Sequence, residues 1–405
     1  MPNGERDSMI VAPGPWSRHG SPNIRPIRIV QVTIGPREIQ AVEQVLKSGR
    51  LRAGPVVKDF EARFARHVGT RFAVAVSSGT AALHIAYRAI LKPGDEVIVP
   101  DFTFVATASM VLAAGGVPVM ADVDPETFTL DSRHAERLIT RRTRAIAPVH
   151  LFGQPAEIER FNRLARRHDF RLIWDAAHAH GARFQGRDLG SFPDVVCYSF
   201  YPSKNMTTGE GGMLTTSDPS LASEFKLLRS HGEDRRYHHA RLGFNFRMTD
   251  VAAAMGRVQL DRLRGAVERR RRHAAILSRG LTGLPGIETP HVSGGVVHAF
   301  NVFTLRVYPD VLRMSRDDFQ KELARRGIET AVHYPLPLHR QPIFRGCGTD
   351  TDFPVSARLA QTVLSLPVHP GLNRNDVERI VRTVREIAMT SSRSSRPFRP
   401  EARSR

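Results

Sequence analysis

Lys204 is one of only six lysines, at positions 47, 58, 92, 204, 226 and 321, in a chain that otherwise takes its positive charge from arginine. The run Val195-Val196-Cys197-Tyr198 precedes its loop, Ser199-Phe200-Tyr201-Pro202-Ser203-Lys204, and a glycine-rich stretch, Gly209-Glu210-Gly211-Gly212, follows it. Arginine keeps its proton in a protein, whereas lysine can lose one where its surroundings help. A neutral amine attacks an aldehyde to form a Schiff base, so Lys204 is a candidate covalent anchor. Taken alone, it reads more readily as a solvated loop lysine.

Other segments shift that balance. Ser77-Ser78-Gly79-Thr80-Ala81-Ala82-Leu83 lies between a β-type run and a helical one. Small residues at a helix N-terminus expose backbone N–H groups that suit a phosphate, and Thr80 adds a hydroxyl. An ordinary N-capped helix is the plainer alternative. Trp174-Asp175-Ala176-Ala177-His178-Ala179-His180-Gly181 directly follows a β-type run. A carboxylate there can face a ring nitrogen through a charge-assisted hydrogen bond and keep a pyridine protonated. Asp175, His178 and His180 are also metal-ligand types, but the histidines are two apart and no further ligand set lies nearby. Ser199, at a strand end, can bind a phosphate oxygen. In Leu242-Gly243-Phe244-Asn245-Phe246-Arg247-Met248-Thr249-Asp250, Thr249 or Asp250 can cap the following helix. Asn245 is an exposed amide between two aromatics, or simply part of an aromatic helix entry. A phosphate cradle, a pyridine partner and a Schiff-base amine together describe one ligand, pyridoxal 5′-phosphate.

Positioning these residues requires strand ends. From about 71 to 216, β-type runs (72–76, 96–99, 117–121, 145–149, 171–174, 195–199) alternate with helical stretches (79–91, 103–114, 132–140, 156–168). This pattern predicts an α/β fold with a mostly parallel sheet sandwiched by helices. Such sheets bind ligands beyond the carboxyl ends of their strands, where Ser77 to Thr80, Asp101, His150, Asp175 and Ser199 fall. A long helix is expected over 248–279. A smaller C-terminal α+β domain follows over 280–390, with a strand at 299–307 and helices at 316–326 and 375–389. The cofactor domain with its connecting helix then covers 29–279. The ends, 1–28 and the Ser/Arg/Pro tract 391–405, read as disordered.

The net charge of +19 raises the question of nucleic acid. The arginines are spread along the chain and partly concentrated at its ends, so nucleic-acid binding is not expected. The uncharged stretch 102–121 contains Ser109, Gly115-Gly116 and Pro118. It reads as a buried helix, a turn and a strand rather than a membrane span. Two cysteines make no disulfide framework, and no charged-then-apolar leader opens the sequence, so a cytoplasmic location is expected.

The chain resembles the DegT/DnrJ/StrS family of sugar aminotransferases, of the type I aminotransferase fold. The likeness runs from about residue 49 to 342. Its marks are Ser78-Gly79-Thr80-Ala81-Ala82-Leu83, Gly94-Asp95-Glu96-Val97-Ile98-Val99-Pro100, Thr103-Phe104-Val105-Ala106-Thr107, Pro148-Val149-His150-Leu151-Phe152-Gly153-Gln154 and His333-Tyr334-Pro335, together with the Asp175, Lys204 and Asn245 segments. The resemblance implies that Lys204 carries the cofactor and moves the proton, and that Asp175 pairs with the pyridinium nitrogen. It implies that Ser199, Gly79, Thr80 and Ala81 hold the phosphate and that Phe104 stacks on the ring. Asn245 would reach the phosphate of a neighbouring subunit, making a homodimer with shared sites. His178 stands where the family often has Gln, near the cofactor's phenolic oxygen. His180 matches a common family histidine. The dehydratase branch replaces the lysine with histidine, so Lys204 argues against it. The implied reaction moves an amino group from glutamate or glutamine to a keto-sugar, in particular one carried on a nucleotide, with His333 and Tyr334 at the substrate mouth and no metal. A cyclitol or other cyclic ketone as acceptor, and a cofactor-binding regulator, are the alternatives.

Overall fold

The structure, a computed structural model, describes residues 25–392. The disordered ends expected over 1–28 and 391–405 therefore lie outside the described residues, apart from 25–28 and 391–392. Within those, Ile27 bridges Ile328 and the closing helix runs over Arg374–Ser392.

A seven-stranded sheet forms the centre, in the order Phe72–Val76, Gly212–Thr216, Val195–Ser199, Arg171–Asp175, Thr143–Ile146, Glu96–Pro100 and Val117–Ala121. Gly212–Thr216 runs antiparallel to both its neighbours, and the other four pairings, outward from Val195–Ser199, are parallel. Phe-Ala-Val-Ala-Val and Glu-Val-Ile-Val-Pro are almost wholly buried. Continuous apolar runs of this kind belong to strands covered by helices on both faces. Trp174, Tyr87, Phe60, Phe64, Phe161 and Phe200 are fully buried around the sheet. Taking each of these side chains out of water contributes roughly 1.5–3 kcal/mol.

The helix Gly79–Ile90 starts where Ser78 caps it, its side chain accepting from Ala81 N at 3.0 Å. The expected helix over 103–114 begins only at Ala106, because residues 101–105 turn toward the strand ends. The rest of that uncharged stretch is the strand Val117–Ala121. Among the described residues no helix is long and apolar enough to cross a membrane. Of the two cap candidates, Thr249 caps Asp250–Leu281 by accepting from Ala252 N at 3.2 Å. Asp250 serves a different helix: its Oδ1 accepts from Gly54 N and Val57 N, both at 2.9 Å, at the start of Pro55–Val68.

Beyond the long helix, Ile287–Glu288, Phe303–Val307 and Val363–Leu366 form a three-stranded sheet. Arg316–Arg325 and Arg374–Ser392 cover it, and Phe303, Leu305, Phe319, Leu364 and Ile380 share one core with Leu277 and Leu281. The expected strand over 299–307 starts at Phe303. Phe300 has φ 44°, a left-handed conformation that breaks the extended backbone before it.

Two carboxylates join this part to the large sheet. Asp101 follows Glu96–Pro100 and is completely buried. It accepts from His339 N at 2.8 Å and lies 2.7 Å from His339 Nδ1. Asp122 follows Val117–Ala121 and accepts from Val355 N and Ser356 N, both at 2.9 Å, at the start of the helix Pro354–Thr362. The segment between these anchors and Phe303–Val307 carries His333 and Tyr334.

Candidate active site

A cavity of about 540 Å³ opens at the carboxyl ends of the central strands. Gly79, Thr80, Phe104, Asp175, His178, Ser199, Lys204, His333 and Tyr334 all line it. Ala81 and Asn245 do not. Ala81 is buried and its N–H is already donated to Ser78 Oγ, which leaves the N–H groups of Gly79 and Thr80 at the open helix end. Asn245 is exposed and pairs with Ser230, away from this cavity.

Asp175 ends its strand and is buried. Its Oδ2 accepts from Thr107 Oγ1 at 2.8 Å and its Oδ1 from Ala177 N at 3.0 Å. Burial pushes its pKa up, against the pull of the Ala177 N–H, the Thr107 hydroxyl and the Lys204 charge. A desolvated carboxylate facing a cavity favours a cationic partner. The same burial pulls Lys204 down to about 8, with Asp175 opposing. A neutral amine is thus available near neutrality, as nucleophilic lysines require.

The helix end closes on Ser199. A Cβ added at Gly79 would lie 2.6 Å from Ser199 Cβ, and one at Gly212 would lie 2.3 Å from Ser78 O. Only glycine lets these three segments approach and leaves a concave end lined by N–H groups. Ser199 Oγ accepts weakly from Tyr201 N at 3.4 Å, and its own proton remains to donate.

His178 stacks on Phe152, ring centroids 6.0 Å apart and planes at 12°, and its Nδ1 accepts from Phe152 N at 3.3 Å. Burial, then the charge of Lys204, holds its pKa well below the usual imidazole range. The ring is neutral and, with Nδ1 accepting, its one proton is on Nε2. His180 is separate. It is buried against Tyr198 and Phe200, at 5.2 and 5.7 Å, and burial lowers it to about 3. Among the described residues no three His, Cys, Asp or Glu side chains group as a metal site. At the mouth, Phe104 is 53% exposed and its ring lies 6.2 Å from that of Tyr334. His333 Nδ1 lies 3.2 Å from Ser365 Oγ.

Sequence reasoning missed Thr107, Asn301 and the Asp101–His339 anchor. Thr107 lay within a stretch quoted for its likeness, but nothing local marked its hydroxyl as the Asp175 donor.

The sequence model of the DegT/DnrJ/EryC1/StrS aminotransferase family matches residues 32–385. The chain belongs to this family. It is 40% identical, over 86% of its length and 91% of the relative's, to a dTDP-3-amino-3,4,6-trideoxy-alpha-D-glucose transaminase of Streptomyces venezuelae. It is 40% identical, over 82% and 90%, to a GDP-perosamine synthase of Caulobacter vibrioides. A Streptococcus pneumoniae putative sugar aminotransferase in its PLP form superposes with TM-score 0.85 at 30% identity, covering 90% of this chain and 99% of that one. The protein is an aminotransferase of a family dependent on pyridoxal 5′-phosphate. The residues present fit that cofactor: a cradle that a Cβ at Gly79 would fill, a buried carboxylate at a strand end, and a lysine of lowered pKa share one cavity.

Proposed function

We propose that this aminotransferase takes an amino group from glutamate or glutamine and delivers it to a keto-sugar carried on a nucleotide, in amino-sugar biosynthesis. The observation that carries this is the convergence of Lys204, Asp175 and the Gly79/Ser199 cradle on one cavity. The nucleotide-sugar relatives support the acceptor class.

Bound pyridoxal 5′-phosphate supplies an aldehyde for the amino group and a ring that draws electrons from the donor's α-carbon. Lys204 is the attachment residue. With the cofactor bound, its free amine would take the proton from the donor's α-carbon and return it at the cofactor's C4′, as a positioned general acid–base. Asp175, oriented by Thr107 and Ala177, holds the ring nitrogen's proton. Gly79 and Thr80 N–H groups and Ser199 bind the phosphate, without Ala81. His178 donates from Nε2 toward the phenolic oxygen in place of an amide. Phe104 covers the ring, and His333 and Tyr334 form the wall that meets the sugar. Asn245, exposed and outside its own cavity, completes the site of a second copy, so the working unit is a homodimer. The larger cofactor-binding part and the smaller C-terminal part divide near residue 280, where the long helix ends. Both cysteines are free, which supports action in the cytoplasm.

The test has two arms. Borohydride reduction of the purified enzyme, followed by peptide mapping, is expected to place a pyridoxyl label on Lys204. Incubation with labelled glutamate and a panel of nucleotide-linked keto-sugars is expected to yield labelled amino-sugar. A label elsewhere, or turnover only with free cyclic ketones, would overturn the reading.

A further inference from the structure

Attachment and proton transfer require the Lys204 arm to swing from a fixed root. Three hydrogen bonds fix it from different sides. Lys204 N donates to Tyr201 O at 2.9 Å. The carbonyl of the preceding residue, Ser203 O, accepts from Asn301 Nδ2 at 3.0 Å. The side chain of the following residue, Asn205 Oδ1, accepts from the same nitrogen at 3.3 Å. Asn205 Nδ2 in turn donates to Ala299 O at 3.1 Å and, more weakly, to His180 O at 3.4 Å. Both flanks of Lys204 are thus tied to residues 299–301, which lead into the strand Phe303–Val307.

Those residues are held in their turn. Asn301 N donates to Phe152 O at 2.9 Å and Ala299 N to Gly153 O at 3.0 Å. Between them, Phe300 has the left-handed φ of 44°. Arg270 reaches in from the long helix, is 5% exposed, and donates through Nη1 to Asn301 O at 2.9 Å and Phe300 O at 3.2 Å. No carboxylate pairs with it among the described residues. Burying a guanidinium without a counter-charge is unfavourable unless its hydrogen bonds are met. The two carbonyls that accept from Nη1 belong to the residues that hold the Lys204 loop, while Arg270 Nε has no partner among the described residues.

We propose that Asn301 is a positioning residue for Lys204. Its carboxamide locks the Ser203 carbonyl and the Asn205 side chain, so that only the aliphatic arm of Lys204 moves between the donor's α-carbon and the cofactor. Asn301 is 7% exposed and lines the cavity itself, so the lock sits beside the amine it controls. The proposal rests on the reading of Lys204 as the attachment and proton-carrying residue. A loosened root displaces the amine, and a misplacement of about 1 Å can cost about 100-fold in rate.

The test compares holoenzymes. Asn301→Ala removes both donations without adding charge, and Asn301→His restores one N–H at the same reach from the backbone. Bound cofactor per chain, the pH midpoint of the visible absorption band, and the single-turnover rate of its bleaching by saturating glutamate are measured for each. The Ala variant is expected to keep its cofactor, to bleach at least about 10-fold more slowly per occupied site and to show a shifted midpoint, with the glutamate KM little changed. The His variant is expected to recover most of that loss. A merely structural asparagine would lower the melting temperature and leave rate and midpoint as they are, and that result overturns the proposal. If Asn301→Ala does not yield folded protein, Asn301→Leu, which keeps the branched shape but can neither donate nor carry charge, takes its place with the same two results deciding. A wild-type enzyme without the band would sink the catalytic reading and this one together. A normal wild-type band with unchanged variants sinks this one alone.

Discussion

Attachment of the cofactor should report the state of Lys204 directly. Only the neutral amine attacks an aldehyde, so the rate at which apoenzyme captures free pyridoxal 5′-phosphate follows the neutral fraction. Burial brings Lys204 to about 8. An amine of that pKa is roughly 9% neutral at pH 7 and roughly 90% neutral at pH 9, an increase of about 10-fold that then levels off. An ordinary lysine near 10.4 would be about 0.04% neutral at pH 7, and its rate would climb about 100-fold over the same span without levelling. Stopped-flow growth of the visible band across this range separates the two cases, because a half-rise near pH 8 and a plateau above about pH 9 belong only to the buried amine. The charge of Asp175 raises the Lys204 pKa against the effect of burial. Asp175→Asn should therefore move the plateau to lower pH while weakening the hold on the ring. A capture rate still rising steeply at pH 10 would refute the argument that burial tunes this lysine.

Three further outcomes follow from the geometry. Gly79→Ala places a methyl 2.6 Å from Ser199 Cβ, so the cradle must open, and cofactor affinity measured by equilibrium dialysis should fall by at least about 10-fold; unchanged affinity would remove the cradle from the site. Burial lowers His150, His180 and His298 to about 3, so the folded state binds fewer protons than the unfolded one below about 6.5. Their stabilisation is full above that value and is lost as pH falls toward 3, at about 2 kcal/mol each by pH 5. Asp188, raised to about 7 by burial, acts in the opposite sense and offsets part of the loss. The urea midpoint should drop between pH 7 and pH 5, and a flat profile would contradict the buried, neutral state of these rings. His339→Ala leaves the Asp101 carboxylate buried without its side-chain partner, a loss of about 3–5 kcal/mol, visible as a lower urea midpoint. A wild-type midpoint would show that the anchor carries no load.

The strands Phe72–Val76, Val117–Ala121 and Val195–Ser199 were legible in the sequence to the residue, because strands of a helix-covered sheet are short apolar runs bounded by polar turns. Asp175, Ser199 and the Ser78 cap were legible for the same reason: they stand where such runs stop. Gly212–Thr216 was hidden. It begins with glycine and pairs antiparallel between two distant strands, a choice made by tertiary contacts rather than by its own five residues. The helices Pro36–Ser48 and Pro55–Val68 went unread although each starts on proline and ends before a left-handed glycine, Gly49 or Gly69. Ala81 was assigned to the phosphate because the likeness treats the segment as a block, whereas the Ser78 side chain takes its N–H. Thr107 and Asn301 act on residues 68 and 98 positions away, Asp175 and Ser203. No local pattern can announce a partner that only folding brings near.

The two carboxylates at the ends of neighbouring strands have a consequence for how the enzyme is made. Asp101 and Asp122 leave the ribosome early, but the groups they grip, at His339, Val355 and Ser356, arrive after more than two hundred further residues have been synthesised. Until then both acids lack these partners, and the segment bearing His333 and Tyr334 is not tied to the large sheet through them. A chain halted before position 339 would hold Lys204 and Asp175 yet lack both grips, so the cavity they line is completed only late in synthesis.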